Sequence, residues 1–277
     1  MSTIINAASP GISNKIKSFL SLMRKYDVVK TTKHSDSYLF DNLEYISDGD
    51  MDKYPVIDNQ EYMNQDMWRL KVYDEDWRLH IKNDEQKYNE EYKTIDLLYE
   101  KTPQYFINKY LKVVSRLDIN PDIIEYVDDF TKDWKDMVGV HIRSWYCEKR
   151  KFHSNEIFEE QIDKLDSNQK FFFCSDNSDV QMHFLKKYGD RLVVYNRQMY
   201  NTPNMAESGH HDDVQLTTDA FIELLILSRC STIIGTYLST FDEIAWWMSQ
   251  CKSKVIIPKP TSFDQEYHDT QCLKNEG

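Results

Sequence analysis

Glycine and proline are scarce in this chain, with 7 of each in 277 residues, against usual shares of about 7% and 5%. That scarcity excludes a collagen-like or linker-rich chain, and there is neither an internal repeat nor a low-complexity tract. No apolar run reaches about 18 residues, the length a helix needs to cross a bilayer. The opening Met1-Ser-Thr-Ile-Ile-Asn carries no basic stretch and no long apolar stretch, so no secretory signal peptide is read there. The expectation is a soluble, cytoplasmic protein without a membrane span. The five cysteines (147, 174, 230, 251 and 272) form no C-x-x-C pair, and their number is odd. Cys174 and Cys230 sit in apolar runs, so reduced, buried thiols are expected rather than a disulfide framework or a catalytic cysteine. Positive charge is also short: 34 Lys and Arg against 46 Asp and Glu leave a net charge of −12. Such a surface repels a phosphate polymer, so nucleic acid is not expected as a partner. No G-x-x-x-x-G-K-[ST] loop is present, which argues against a P-loop kinase or sulfotransferase.

What is present is enough apolar material for a core, 40% hydrophobic residues with 13% aromatic, in a chain long enough for one large domain or two modest ones. The second half reads as alternating strands and helices. Strands are expected at 138–142, 170–174, 191–195, 232–234 and 254–257, with helices at 155–165, 178–188, 214–230 and 239–251. Gly189 stops the second of these helices. Strands alternating with helices imply an α/β chain with a mostly parallel, doubly wound sheet. In the first half, 13–26 is an amphipathic helix with Ile12, Ile16, Phe19, Leu20 and Met23 on one stripe. Short strands are expected near 27–29, 43–46 and 77–81, and a charged, mostly helical stretch over 85–132. The boundary between the halves falls in the acidic stretch 128–136, giving units of 1–133 and 134–277, with the last helix free to cross back onto the first.

The chemistry concentrates at strand ends. In Met137-Val-Gly-Val-His-Ile-Arg143, alternation puts Val138, Val140 and Ile142 on one face, and Gly139, His141 and Arg143 on the other. Ligands of open α/β sheets bind just outside the carboxyl ends of strands, and arginine grips phosphate bidentately. Gly139 leaves room for something to lie against the backbone. Taken alone, a strand-end arginine such as Arg143 is better explained by a surface ion pair. Ser175-Asp176-Asn177 ends the next strand, where Asp176 suits either a hydrogen bond from a base or ribose or an N-cap. Gly235-Thr-Tyr-Leu-Ser239-Thr240 opens a helix, and both Ser239-x-x-Asp242 and Thr240-x-x-Glu243 fit the capping box. A helix N-terminus is a ready anion site. Together with Arg143 it can neutralise a diphosphate without a metal.

The order Gly11-Ile-Ser-Asn14-Lys15, Val-Gly-Val-His141-Ile-Arg143, Phe-Cys-Ser175-Asp176-Asn and Ile-Gly235-Thr-Tyr-Leu-Ser239-Thr240-Phe241 resembles the fucosyltransferase-like GT-B superfamily. That group includes protein O-fucosyltransferases, α1,6-fucosyltransferases and nodulation fucosyltransferases. The resemblance spans residues 11 to about 250 and is thin between 27 and 130. It implies a GT-B-like α/β fold of two Rossmann-like domains facing a cleft, with the nucleotide sugar held mainly by the second. It also implies that His141 and Asp176 contact the nucleoside, and that Arg143, Ser239 and Thr240, with Phe241 beside them, contact the diphosphate. Gly11 and Asn14 would form the turn that faces the donor from the first domain. The chain departs from the pattern in two places. Position 13 is Ser rather than Gly, and Ser144 stands where many relatives carry a second arginine, which leaves the donor open between GDP-fucose and UDP-xylose. The size and the absence of an anchor are similar to the compact glycosyltransferases of large algal viruses, xylosyltransferases among them. That likeness implies a viral enzyme acting in the host cytoplasm.

An inverting transfer needs a base for the acceptor hydroxyl. Asp74, ahead of Asp76, is the best local candidate, in the acidic turn Tyr73-Asp-Glu-Asp-Trp77 whose aromatics could stack a sugar. A solvated acidic turn accounts for the same residues, and Asp36 and Asp41 remain open. Asp74-Glu-Asp76 also matches the D-x-D signature of metal-dependent GT-A transferases, but Asp48-Gly-Asp50 and Asp50-Met-Asp52 match it too. The Rossmann-like half comes second here, whereas GT-A enzymes place it first. A metal-free site without a cofactor is therefore expected. His210-His211-Asp212-Asp213 reads as a loop near the donor, or equally as a plain solvent loop, rather than a metal site. The reading is an inverting, metal-independent glycosyltransferase acting on a glycan hydroxyl. A metal-dependent GT-A-type transferase and a non-catalytic nucleotide- or glycan-binding protein are the alternatives.

Overall fold

The computed structural model describes residues 2–6, 11–57, 104–143, 154–197, 213–236 and 239–258. The expected strand at 77–81, the acidic turn with Asp74 and Asp76, and His210 to Asp212 lie outside the described residues.

The first half forms a parallel sheet of four short strands. They are β1 (Thr3–Asn6), β2 (Val28–Thr31), β3 (Glu44–Tyr45) and β4 (Val56–Ile57), in the order β3-β2-β1-β4. Helix α1 (Ile12–Lys25) connects β1 to β2, and its apolar stripe of Ile16, Phe19, Leu20 and Met23 is buried. A short helix α2 (His34–Leu39) follows β2. Two further helices, α3 (Gln104–Val114) and α4 (Pro121–Thr131), lead towards the second half. Pro121 occupies the first turn of α4, and Asn120 caps it by accepting from the Asp122 N–H.

The second half is a five-stranded parallel sheet of order β7-β6-β5-β8-β9. Its strands are β5 (Val138–Ile142), β6 (Phe171–Ser175), β7 (Leu192–Val193), β8 (Thr232–Ile234) and β9 (Lys254–Ile256). The crossover helices are α5 (Asn155–Ile162), α6 (Ser178–Tyr188), α7 (Val214–Ser228) and α8 (Thr240–Met248). β5 and β6 are buried along their whole length, as expected of central strands covered on both faces. Gly189 ends α6 at a φ of +53°, a conformation that glycine adopts without a Cβ penalty.

The alternation read along β5 sorts its side chains as expected. Val138, Val140 and Ile142 pack with Ile157, Phe158 and Phe184 of α5 and α6. The opposite face meets α7. A Cβ at Gly139 would stand 2.5 Å from Leu227 Cδ1 and 2.8 Å from Cys230 Sγ. The room at Gly139 is thus filled by the protein's own helix, not held open for a ligand.

One apolar core runs through both halves, from Ile4, Phe19 and Phe40 to Phe221, Leu224 and Trp247. α2 packs on α7, and α1 packs on α8. Among the described residues, Cys174, Cys230 and Cys251 are free thiols. Burial raises the pKa of all three, that of Cys251 to about 12, so they are poor nucleophiles. No described helix is long and apolar enough to cross a membrane.

Candidate functional site

In the second sheet, strand order runs outward from β5 through β6 to β7 on one side and through β8 to β9 on the other. The carboxyl ends of β5 and β8 therefore flank a topological switch point, where crossover helices leave towards opposite faces and a crevice opens. Arg143 follows β5 directly, and α8 begins just beyond β8.

Arg143 is 41% exposed, and its guanidinium Nη1 lies 3.0 Å from Asp176 Oδ2 at the end of β6. The ion pair and the cation at the strand tip are one feature: the carboxylate holds the guanidinium at the crevice. Asp176 is not an N-cap. Asn177 fills that position, and its side chain accepts from the Asp179 and Val180 N–H groups. Ser175 is buried and donates its hydroxyl to the Ile142 carbonyl at 2.8 Å, tying the ends of β5 and β6 together.

Ser239 caps α8 by accepting from the Phe241 N–H at 3.2 Å, and Thr240 is the first helical residue. Neither capping box closes. Asp242 turns inward instead: Oδ1 lies 2.8 Å from His141 Nδ1, and Oδ2 accepts the Thr236 N–H at 2.8 Å. Glu243 reaches α1, where its Oε2 lies 2.6 Å from Lys17 Nζ. A buried carboxylate takes the strongest donors in reach, and here those are tertiary partners. His141 is 4% exposed, and Phe241 stacks on its ring with centroids 4.5 Å apart.

The start of α1 belongs to the same neighbourhood, because Lys17 lies in its second turn and α1 packs on α8. Gly11 precedes the helix at a φ of −55°, and a Cβ there would meet nothing within 4 Å. The Asn14 N–H donates to the Gly11 carbonyl at 3.0 Å. Of the open carboxylates, Asp36 is 1% exposed, lies 3.0 Å from Lys15 Nζ and accepts from the Thr31 hydroxyl. That enclosure removes it as a base for an incoming hydroxyl. Asp41 is exposed. Asp213, the described member of the His-His-Asp-Asp run, caps α7 by accepting from the Leu216 N–H.

A second buried charge pair lies behind the site. Arg197, after β7, brings Nε to 3.0 Å from Glu223 Oε2 of α7 and donates from Nη2 to the Ser175 carbonyl at 2.8 Å. Burial pushes the Glu223 carboxyl up to about 7, with Arg197 and His141 opposing the rise. One signal for Glu223 was visible in the sequence: an acid inside the apolar run Ala220-Phe-Ile-Glu223-Leu-Leu-Ile. Thr236, Lys17 and Arg197 had no comparable signal, and Asp242 was visible only as a capping-box acid. No group of three or more His, Cys, Asp or Glu that could hold a metal ion occurs among the described residues.

The NodZ α-1,6-fucosyltransferase soaked with GDP-fucose superposes on this chain with a TM-score of 0.51 at 12% identity, over 94% of this chain and 100% of that one. The fold is that of NodZ. NodZ from Bradyrhizobium in selenomethionine form matches at a TM-score of 0.49 and 13% identity, over 88% of this chain and 91% of that chain. POFUT1 in complex with GDP-fucose matches at 0.44 and 15%, over 92% and 97%. No protein-family profile matches the sequence, and no curated protein matches it. The parallel α/β architecture expected from the strand–helix order, and the GT-B-like fold that the resemblance implied, are therefore what the chain adopts, a NodZ-like pair of parallel sheets.

Proposed function

We propose that this protein is a glycosyltransferase that moves one sugar from a nucleoside diphosphate onto a glycan hydroxyl, with residues 134–277 holding the donor and 1–133 facing the acceptor. The observation that carries this reading is the placement of Arg143 at the β5–β8 switch point, its N–H bonded to Thr236, whose carbonyl in turn accepts from Ser239 at the cap of α8. A guanidinium and unpaired helix N–H groups at one crevice stabilise a departing diphosphate electrostatically. NodZ, whose fold the chain shares, was soaked with GDP-fucose, which makes GDP-fucose the first donor to test and UDP-xylose the second.

In this reading the acceptor oxygen attacks the anomeric carbon with inversion. The bond from that carbon to the diphosphate breaks, and the nucleoside diphosphate leaves with the electron pair. Arg143, with the Ser239 and Thr240 end of α8, takes up the charge. Asp176 holds the arginine and, with His141 and Phe241, lies on the nucleoside side; Gly11 and Asn14 approach from the first half. Asp74, ahead of Asp76, receives the acceptor proton. No metal takes part.

The test is a thermal-shift panel of GDP, UDP and their sugars, followed by turnover with and without EDTA. Binding of one nucleotide at a hundred times its Kd raises stability by about 2.7 kcal/mol, and turnover of its sugar persists in EDTA. Dependence on Mn²⁺ would favour the GT-A-type alternative with Asp74 and Asp76 as ligands. Nucleotide binding without any sugar transfer or donor hydrolysis would favour a non-catalytic binding protein.

A further inference from the structure

The tip of β5 carries Arg143, and on the β8 side a hydroxyl holds that tip, as the Ser175 hydroxyl does on the β6 side. Thr236, just past β8, donates from Oγ1 to the His141 carbonyl at 2.9 Å. The same oxygen accepts the Arg143 N–H at 2.8 Å. β5 and β8 pair in register only as far as Val140 and Ile234, so beyond those residues the Thr236 side chain continues the ladder. Thr236 is in turn held by Asp242, whose Oδ2 accepts its N–H. The other oxygen of that carboxylate meets His141 Nδ1 at 2.8 Å. If Asp242 is ionised it can only accept, and this contact then requires the proton on His141 Nδ1.

Gly235 is required for this arrangement. A Cβ there would stand 2.7 Å from Asp242 Cγ and 2.8 Å from its Oδ2. The carboxylate lies directly against the backbone of the strand end, at a depth where it is 0% exposed. Asp242 thereby joins three things: the first turn of α8, the loop after β8 and the imidazole of β5. These are the two flanks of the switch-point crevice.

We propose that Thr236 and Asp242 are positioning residues of the donor site, which fix the guanidinium of Arg143 and the N-terminus of α8 relative to one another. This rests on the donor-site reading above and adds to it the parts that give the anion site its geometry. A diphosphate must meet the guanidinium and the helix N–H groups together, and a displacement of about 1 Å costs heavily in such a site.

The experiment uses the whole chain, with GDP and UDP as calorimetric ligands and the variants Thr236→Ala and Thr236→Ser. Each variant is checked for a cooperative melt, and Thr236→Val, which keeps the volume and drops the hydroxyl, replaces Ala where that check fails. Removing two neutral hydrogen bonds at this point weakens binding of the nucleotide that the wild type takes by about tenfold. Serine, which keeps the oxygen, restores affinity to near the wild-type value. The imidazole ¹⁵N spectrum of the wild type shows His141 protonated at Nδ1, and Asp242→Asn changes that tautomer. Wild-type affinity in the hydroxyl-free variant, or a wild-type His141 unprotonated at Nδ1, overturns the positioning proposal and leaves the donor reading standing. A wild-type protein that binds neither nucleotide overturns both.

Discussion

His141 Nδ1 and Asp242 Oδ1 lie 2.8 Å apart although 101 residues separate them in the chain. Both are buried, so each satisfies the other where water cannot. The pair fastens the first turn of α8 to the middle strand of the second sheet, immediately before Arg143. The placement of Arg143 and of the α8 N-terminus, the proposed anion site, thus rests on a contact between two buried polar groups.

Arg143→Lys is expected to lose about two orders of magnitude in kcat/KM, roughly 2.7 kcal/mol of transition-state stabilisation. A lysine keeps the charge but not the planar fork that can hold Asp176 and a phosphate together. Steady-state kinetics with the donor identified by thermal shift checks this. Near-normal turnover in the variant would remove Arg143 from the central role.

Alanine at the glycines should separate structural need from sequence pattern. Gly235→Ala drives a Cβ into the Asp242 carboxylate, and Gly139→Ala drives one into Leu227 and Cys230. Overpacking of this kind costs about 1–3 kcal/mol. Gly11→Ala, with open space and an ordinary φ, should leave stability within about 0.5 kcal/mol of wild type. Urea denaturation of the three variants orders them, and equal losses at all three positions would contradict the packing described.

Glu223 makes stability depend on pH in a direction unusual for a carboxylate. Its pKa is raised by burial from 4.5 to about 7 in the folded protein. The folded state therefore holds a proton that the unfolded state has released between those values. Stability from this group is full below about pH 4.5 and is lost as pH rises through about 7, by an amount on the order of 3 kcal/mol. Glu223→Gln cannot release a proton and should flatten that part of the profile. Melting temperatures measured from about pH 5 to 8 test this linkage, and an unchanged slope in the variant would show that Glu223 is not the group responsible.

Glu243→Gln should destabilise the chain by roughly 2 kcal/mol, because it weakens the partner of Lys17, a lysine 1% exposed. A double-mutant cycle with Lys17→Met isolates the coupling between α1 and α8. Additive losses would mean that the ion pair does not join the two halves.

Legibility of the fold followed burial. Phe171–Ser175 and Val138–Ile142 are central strands, and continuous apolar runs announce such strands without help from neighbours. Helices α1, α6 and α7 carried either a stripe, a glycine stop or a long apolar face, and were read within a few residues of their ends. β1, β4 and α2 were not read. They are 4, 2 and 6 residues long, too short for a periodicity, and they exist because a neighbouring strand or helix pairs with them. The expected strand at 191–195 shrinks to Leu192–Val193 for the same reason: pairing with β6 covers those two residues.

At the site, local pattern placed Arg143 at a strand end and Ser239 at a helix cap, and both are determined by the chain within a few residues of themselves. The capping boxes were a local inference that tertiary structure overruled. Asp242 and Glu243 found His141, Thr236 and Lys17 instead of their own helix N–H groups. The sequence by itself determined the strand–helix alternation, the faces of β5 and the residues available at each strand end, because those follow from backbone geometry and apolar periodicity. Only the tertiary structure decided what fills the space at Gly139 and which donors the carboxylates of α8 accept. A buried polar group must pair with whatever the packed core brings within reach, and that is settled by elements about a hundred residues apart.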